Sequence, residues 1–344
     1  MNKQKVALIG IGHVSQHQLE AFRRYDGLEL AAVCDIDPRR SLPEYFSHLP
    51  QYKDVGELLR CEEDIRVVFI SVPNNAHYKV ASQAIKAGRH VLVEKPATKT
   101  LEEFDLLCEA ADRKGVMMYS STHAAFGREV VWFREEYLHE HSGVLGPLTG
   151  FSVGLFDPCM GPDSSTPVKE TLDDSWTDSG VNALSVICQF TPNLQFQHGT
   201  LVYAPINGVE GLHATMHFKF GNGFYGDVST GWASGLNEKT TRLEYGEGRT
   251  AILLDHSNQR VTRPVGGSKQ EVLQELGDIP RLTAHFMGVF SDFVSYLNRE
   301  KEDKDNRKFS RRCLELLVTA RKNARMYGRD PDSLPSPSRP YAMG

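Results

Sequence analysis

The sequence is short of cysteine, of net charge and of long apolar runs. Its six cysteines in 344 residues (Cys34, Cys61, Cys108, Cys159, Cys188 and Cys313) are scattered, with no Cys-x-x-Cys pair. That spacing gives neither a disulfide framework nor a zinc knuckle, and it fits a reducing compartment. Lysine plus arginine number 39 against 44 aspartate plus glutamate, a formal net charge of −5. Such mild acidity argues against sequence-independent nucleic-acid binding. No apolar run approaches the roughly 18 residues needed to span a bilayer. Two lysines precede Val6-Ala7-Leu8-Ile9, as in a signal peptide, but His13 and Gln16 end the apolar stretch and no small-residue cleavage site follows. We read this start as a first buried strand, and the protein as cytoplasmic. Histidines such as His198, His213 and His217 alternate along strand candidates and form no metal set, so no metal is expected.

What is present is ordinary globular material: 40% hydrophobic residues, in a length that suits about two domains. The first third alternates short apolar runs with helical patterns, which predicts parallel strands joined by crossover helices. The strand candidates are Lys5–Ile9, Leu28–Cys34, Val67–Val72, His90–Val93 and Val116–Ser120. Thr100 and Glu103 form a capping-box pair before Leu101, Phe104 and Leu107, and Gly115 ends that helix. Asn75 is placed to cap a helix over Ala76–Ala87, which Gly88 terminates.

Beyond about residue 123 the rhythm changes. A helix at Glu129–His139 leads to strand candidates Leu148–Leu155, Gln195–Tyr203, Leu212–Phe220, Phe224–Gly231, Thr241–Tyr245 and Thr250–Leu254. Helices at His285–Leu297 and Arg311–Met326 follow, with the charged run Arg299–Lys308 as a solvated loop between them. The fold class is therefore α/β, with boundaries at 1–122 for a parallel-sheet domain and 123–328 for an α+β domain with an open, mainly antiparallel sheet. The Pro/Ser-rich segment 329–344 reads as an extended tail.

Gly10-Ile11-Gly12-His13-Val14-Ser15 falls between a strand and a helix, where a dinucleotide fingerprint belongs. Gly10 permits the tight turn, and Gly12 lets backbone approach a pyrophosphate at the positive end of the helix. Asp35, at the end of the second strand, can accept the ribose hydroxyls, and its charge would repel a 2′-phosphate, so NAD is favoured. Arg39 and Arg40 leave NADP open as an alternative.

Val72-Pro73-Asn74-Asn75-Ala76-His77, followed by Ala87-Gly88-Arg89-His90-Val91-Leu92-Val93-Glu94-Lys95-Pro96, closely resembles the Gfo/Idh/MocA oxidoreductase family. The resemblance implies a Rossmann domain carrying NAD(P) and a second domain for substrate binding and oligomerisation, with assembly into a homodimer or homotetramer through its sheet. It implies a cofactor site at Gly10, Gly12, His13, Val14, Asp35, Ser71, Pro73, Asn74, His77, Glu94 and Lys95. The family's Asp-x-Gly-x-His motif stands here as Asp178-Ser179-Gly180-Val181-Asn182, with asparagine for histidine. That variant is similar to the L-arabinose/D-galactose 1-dehydrogenase subgroup. The subgroup implies working roles for Lys95, His123, Asp157, Asp178 and Asn182, and a pocket tryptophan at Trp232. Asp157 matches less closely, because the subgroup has glutamate there, and Cys159–Thr171 has no counterpart.

The residues themselves permit that chemistry. Oxidising an alcohol needs a hydride acceptor and removal of the hydroxyl proton. Lys95 follows a strand at its carboxyl end, and beside a cationic nicotinamide its pKa is expected to fall, so that it stabilises an alkoxide or accepts the proton. Asp178 either orients Lys95 or acts as the base. Asn182, four residues on, shares its helix face, and His123 offers a substrate hydrogen bond or proton relay. Four residues keep a structural alternative: the Asp178/Asn182 pair as helix cap and core amide, His77 as a cap rather than a nicotinamide neighbour, and Trp232 as core rather than a sugar platform. The expected activity is an NAD(P)-dependent aldose 1-dehydrogenase giving an aldonolactone from a small sugar. Oxidation at another sugar or cyclitol carbon and a non-catalytic NAD-binding sensor are the alternatives.

Overall fold

Val6, Ala7, Leu8 and Ile9 are each exposed by 2% or less. Four consecutive buried residues cannot sit on a half-solvated strand; they require a sheet covered on both faces. The computed structural model, which describes residues 3–158, 174–203, 212–232, 237–246, 248–266, 269–300 and 304–328, places them there. Strands β1 (Gln4–Ile9), β2 (Leu28–Cys34), β3 (Gln51–Tyr52), β4 (Val67–Ile70), β5 (His90–Glu94) and β6 (Met118–Ser121) form a six-stranded sheet in the order β3-β2-β1-β4-β5-β6. Every pairing in it is parallel. Helices α1 (Ser15–Arg24), α2 (Val55–Cys61), α3 (His77–Lys86) and α4 (Leu101–Lys114) make the crossovers. The strand order reverses between β1 and β4, which opens the crevice where ligands of such sheets bind.

The ends of α4 are built as its sequence predicts: the Thr100 hydroxyl accepts the Glu103 N–H at 3.1 Å, and Gly115 takes φ +64°. Helix α3 differs. Asn75 does not cap it; a turn of 3-10 helix at Asn74–Ala76 comes first, and the capping position is Ala76, with no side-chain bond.

The second sheet has nine strands. They are β7 (Leu148–Phe156), β8 (Gln195–Val202), β9 (His213–Phe220), β10 (Phe224–Gly231), β11 (Lys239–Tyr245), β12 (Thr250–Asp255), β13 (Arg260–Gly266), β14 (Lys269–Glu275) and β15 (Arg325–Tyr327). Their order is β14-β13-β12-β11-β7-β10-β9-β8-β15, antiparallel except for the β7–β10 and β8–β15 pairs. One face is covered: in β9, Ala214, Met216, Phe218 and Phe220 are buried and alternate with more exposed neighbours. Helices α5 (Arg128–Trp132) and α6 (Leu138–Leu145), joined through a π-helical turn at Phe133–Tyr137, and α7 (Val181–Ile187) lie with α8 (Arg281–Leu297) and α9 (Lys304–Asn323) around the two sheets.

Three expectations are corrected. The charged run Arg299–Lys308 is not wholly a loop, because α9 begins at Lys304. The Asn306 amide binds both the N–H (2.9 Å) and the carbonyl (3.2 Å) of Ser120 at the edge of β6, and Arg307 reaches Asp112 at 2.6 Å. Those contacts are made with the other domain, so no local pattern announces them. Helix α8 begins at Arg281 rather than His285, directly after Pro280. Strands β13, β14 and β15 were not foreseen, since they carry charged and exposed residues without an apolar period. The tail 329–344, segment 159–171 and Ala233 lie outside the described residues.

Helix α8 crosses the sequence boundary. Its Phe286, Phe290 and Phe293, all fully buried, pack with Phe22 of α1 and Phe69 of β4, the Phe22 and Phe290 rings lying 4.5 Å apart. Tyr119 of β6 donates to Asp292 of the same helix at 2.6 Å. A Phe290→Ala variant should lose about 3–5 kcal/mol of stability in urea unfolding, the usual effect of emptying a buried phenylalanine site. A loss below about 1 kcal/mol would show that α8 is not part of this core.

Candidate active site

The Gly10 turn admits only glycine: φ is +96°, and a Cβ there would lie 2.3 Å from the Ser71 carbonyl oxygen. At Gly12 a Cβ would meet nothing within 4 Å, so open space adjoins the start of α1. The α1 capping residue, Val14, supplies no side-chain bond, which leaves the helix N-terminus free for an anion. His13 is exposed beside it. Asp35, at the end of β2, accepts N–H bonds from Ile11 at 2.6 Å and Asp37 at 2.8 Å, and so stands beside the glycine turn. Arg39 is tied to Asp37 at 2.9 Å, and Arg40 lies 3.9 Å from the same carboxylate. These residues fit a dinucleotide.

Across the crevice, His77 spans two loops. Its ring nitrogens lie 2.8 Å from the carbonyl of Pro96 and 2.8 Å from that of Val72. The imidazole is thus a brace between the Pro73 turn and the Lys95 turn. Burial pushes its pKa down, and its two nitrogens are already engaged. Asn74 is buried nearby, with its amide nitrogen unpartnered. Glu94 accepts from Gln18 (3.0 Å), Ser121 (3.3 Å) and the Lys95 N–H (3.1 Å), yet burial outweighs these bonds and pushes its carboxyl up to about 7.

Lys95 leaves the end of β5 and meets the second domain. Its Nζ donates to the Asp178 carboxylate at 2.6 Å and to the Asp178 carbonyl at 3.1 Å, and the side chains are 12% and 16% exposed. Burial pushes the ammonium down, but Asp178, Glu94 and Asp157 together hold it above its ordinary value. Asp178 belongs to the π-helical turn Trp176–Gly180, and Asn182 lies in the following α7, with its Oδ1 buried and unpartnered. Asp157, at the end of β7, accepts from Ser179 at 3.1 Å and pairs with Lys239 at 2.7 Å.

His123 follows β6, and its Nδ1 lies 3.3 Å from Nδ1 of His285. Burial, with the nearby Lys95 and Arg281 cations, drives its pKa well below the usual value, and burial does the same to His285. Both rings are therefore neutral, and one donates to the other. Trp232 is fully buried, with its indole N–H unpartnered, so it presents no face to a cavity. Lys239, His285, Arg281, Ser179 and Gln18 were missed. Ser179 stands inside the Asp178–Asn182 motif but was given no role, no motif carries the others, and only the start of α8 after Pro280 puts Arg281 and His285 one turn apart on one face. Among the described residues, no three His, Cys, Asp or Glu side chains come together as a metal site, and no helix is long and apolar enough to cross a membrane.

With this geometry in hand, comparison with known proteins is informative. Residues 4–123 match the model of the Gfo/Idh/MocA oxidoreductase family, an NAD-binding Rossmann fold, so this part of the chain is similar to that family's nicotinamide-dinucleotide-binding domain. An inositol 2-dehydrogenase of Salmonella paratyphi B is 33% identical over 118 residues, covering 33% of this chain and 35% of that protein. The match to curated relatives therefore spans about a third of their length. Over the whole chain the likeness is one of fold. A 3-ketoreductase from Actinomadura kijaniata, solved with NADP and TDP-benzene, superposes with TM-score 0.80 at 16% identity, covering 94% of this chain and 99% of that one. The D-galactose-1-dehydrogenase of Rhizobium etli does so with TM-score 0.73 at 18% identity, covering 95% and 96%.

The Glu94 carboxyl gives a measurable signature. Its folded pKa of about 7 lies above the ordinary value of 4.5, so the folded state holds this proton more tightly than the unfolded chain. That contribution is full below pH 4.5 and is lost as pH rises through about 7. Urea unfolding of the cofactor-free protein should therefore weaken over this window by on the order of 3 kcal/mol, and Glu94→Gln should flatten the decline. An unchanged pH profile in the variant would show that Glu94 is not its source.

Proposed function

We propose that the protein is an NAD-dependent sugar oxidoreductase, and specifically an aldose 1-dehydrogenase that converts a pyranose to its aldonolactone. The observation that carries this reading is the 2.6 Å Lys95–Asp178 pair at the carboxyl end of the parallel sheet, with Asn182 one turn beyond. When bound, the nicotinamide supplies hydride acceptance. The chain's own residues must then hold one hydroxyl and take its proton.

A lysine held charged cannot accept a proton, so Lys95 serves as donor to the substrate oxygen and stabilises negative charge developing there. Asp178, sharing that ammonium, is the proton acceptor. The unpartnered Asn182 Oδ1 accepts from a neighbouring sugar hydroxyl. His123, neutral and close enough to feel the Lys95 charge, is placed for a further hydroxyl or for passing the proton outward. Asp157 completes the polar wall through Ser179.

Two further points support a particular cofactor and assembly. Asp35 beside the glycine turn favours NAD over NADP by repelling a 2′-phosphate. The uncovered face of the nine-stranded sheet, where Tyr225 is 62% exposed, is the surface through which a homodimer or homotetramer would form. The inositol 2-dehydrogenase relative and the 3-ketoreductase neighbour favour a second reading, oxidation at another carbon. The relative's match covers about a third of each chain and coincides with the cofactor half, which does not select the carbon.

A panel of aldoses and cyclitols with NAD and NADP, read by absorbance of the reduced cofactor, tests this directly. Lys95→Ala should lower kcat by about 100-fold or more, and a variant as fast as the parent sinks the mechanism. Lactone trapping by hydroxylamine would separate oxidation at the anomeric carbon from oxidation elsewhere. Asp35→Ala should move the NAD-to-NADP ratio of kcat/KM toward NADP by about tenfold or more, roughly the 1.4 kcal/mol of one charge contact; no movement would remove Asp35 from cofactor selection.

A further inference from the structure

Three carboxylates near Lys95 and His123 have a cation or ring to bind. Asp178 has Lys95 at 2.6 Å, Asp157 has Lys239 at 2.7 Å, and Glu129 has His256 at 2.6 Å. One cation is left over. The guanidinium of Arg281, half-buried at the start of α8, makes no hydrogen bond or ion pair with any described residue. Burial pushes its pKa down, with Asp157 and Glu129 pulling the other way, so it lies close to both carboxylates without being bound by either.

Arg281 stands one turn before His285, whose Nδ1 is 3.3 Å from that of His123, and His123 follows the end of β6, which pairs with the end of β5 that leads into Lys95; the Arg281 charge acts on both rings and on His17. One turn along the same helix, the buried His285 leaves its Nε2 without a partner. The neutral His123 and His285 rings can donate hydrogen bonds but cannot balance a charge. A partly desolvated guanidinium without a counter-ion is unfavourable, and it is relieved by a ligand that brings one.

We infer that Arg281 binds a carboxylate of the substrate, so that the sugar oxidised is a uronic acid rather than a neutral aldose. This deepens the aldose 1-dehydrogenase reading and rests on it. The planar five-donor fork of arginine matches a carboxylate in bidentate fashion. A singly charged group is favoured over a phosphate dianion, because Lys239 and Lys95 already balance Asp157 and Asp178 and only the single charge of Arg281 is left to be matched. The carboxylate anchors one end of the ring at α8, and the anomeric hydroxyl lies at Lys95. In the reaction the anomeric C–H bond breaks, its electron pair passes with the hydrogen to NAD, and the hydroxyl proton goes to Asp178. The two-electron oxidation yields the lactone of an aldaric acid and NADH.

The experiment compares D-galacturonate and D-glucuronate with D-galactose, D-glucose and D-galactose 6-phosphate, using the parent enzyme, Arg281→Ala and Arg281→Lys. The parent should favour a uronate over its neutral aldose by about 100-fold or more in kcat/KM, within the range of a buried charge-assisted contact. Arg281→Ala should collapse that ratio chiefly through KM, and Arg281→Lys should restore part of it. A neutral aldose turned over as well as its uronate overturns the inference while leaving the dehydrogenase reading intact. A 6-phosphate that outperforms the uronate also overturns it. So does an Arg281→Ala variant whose defect is weakened NADH binding, read by cofactor fluorescence, since the guanidinium would then serve the pyrophosphate. If no sugar reduces NAD, the dehydrogenase reading fails. The anion site is then judged separately by the rise in melting temperature with uronate and NADH, supported if Arg281→Ala loses it and overturned if the parent shows none.

Discussion

An ammonium and a carboxylate, each mostly out of water, hold one another 2.6 Å apart across the junction of two sheets. Neither would be tolerable there alone, because an unpaired charge in a poorly solvated position is strongly disfavoured. Lys95 comes from the end of a parallel strand, and Asp178 from a π-helical turn at the entrance to α7. The pair can form only if both domains are folded and docked. The rest of the cleft is arranged to keep it so: His77 braces the loop that carries Lys95, Ser179 links the next residue to Asp157, and Lys239 neutralises Asp157 in turn.

The same constraint sets the protonation of its neighbours. Burial keeps His123 neutral, and the nearby Lys95 and Arg281 charges reinforce it. Glu94, adjacent in sequence to Lys95, is buried far enough that its carboxyl titrates near neutrality despite three donors. Charged and neutral groups therefore alternate through the cleft, a distribution that suits proton movement better than a uniformly ionised wall.

Docking is secured by helices from late in the chain. The aromatic face of α8 is buried against Phe22 and Phe69, and α9 reaches β6 through Asn306 and α4 through the Arg311–Asp105 pair at 2.7 Å. The strands of the two sheets fall on either side of residue 123, while the carboxyl-terminal helix α8 packs on the amino-terminal sheet. This closure brings His285 within 3.3 Å of His123, with Arg281 one turn before it on α8.

Local physics made much of this legible. Runs such as Val6–Ile9 and Val67–Ile70 are apolar on both faces and read as covered parallel strands, and Gly10 and Gly115 mark turns that need positive φ. Thr100 and Glu103 announce a helix start because the bond they make spans three residues. Lys95, Asp178 and Asn182 stood out because their motifs are short and contiguous. The exposed strands β13 to β15 lacked any apolar period, and α9 starts where tertiary bonds at Asn306 and Arg307 override a charged, loop-like stretch. Trp232 looked open to two roles until its complete burial was seen.

By itself, the order of residues determined the covered strands of the first sheet, both ends of α4 and which side chains carry reactive groups, because each depends on neighbours a few positions apart. Only the tertiary structure decided that Lys95 stays charged, that His123 meets His285, that His77 is a brace, and that Arg281 makes no ion pair with any described residue. Those properties depend on desolvation and on charges brought close from distant parts of the chain, and both come into being only when the two sheets close on each other.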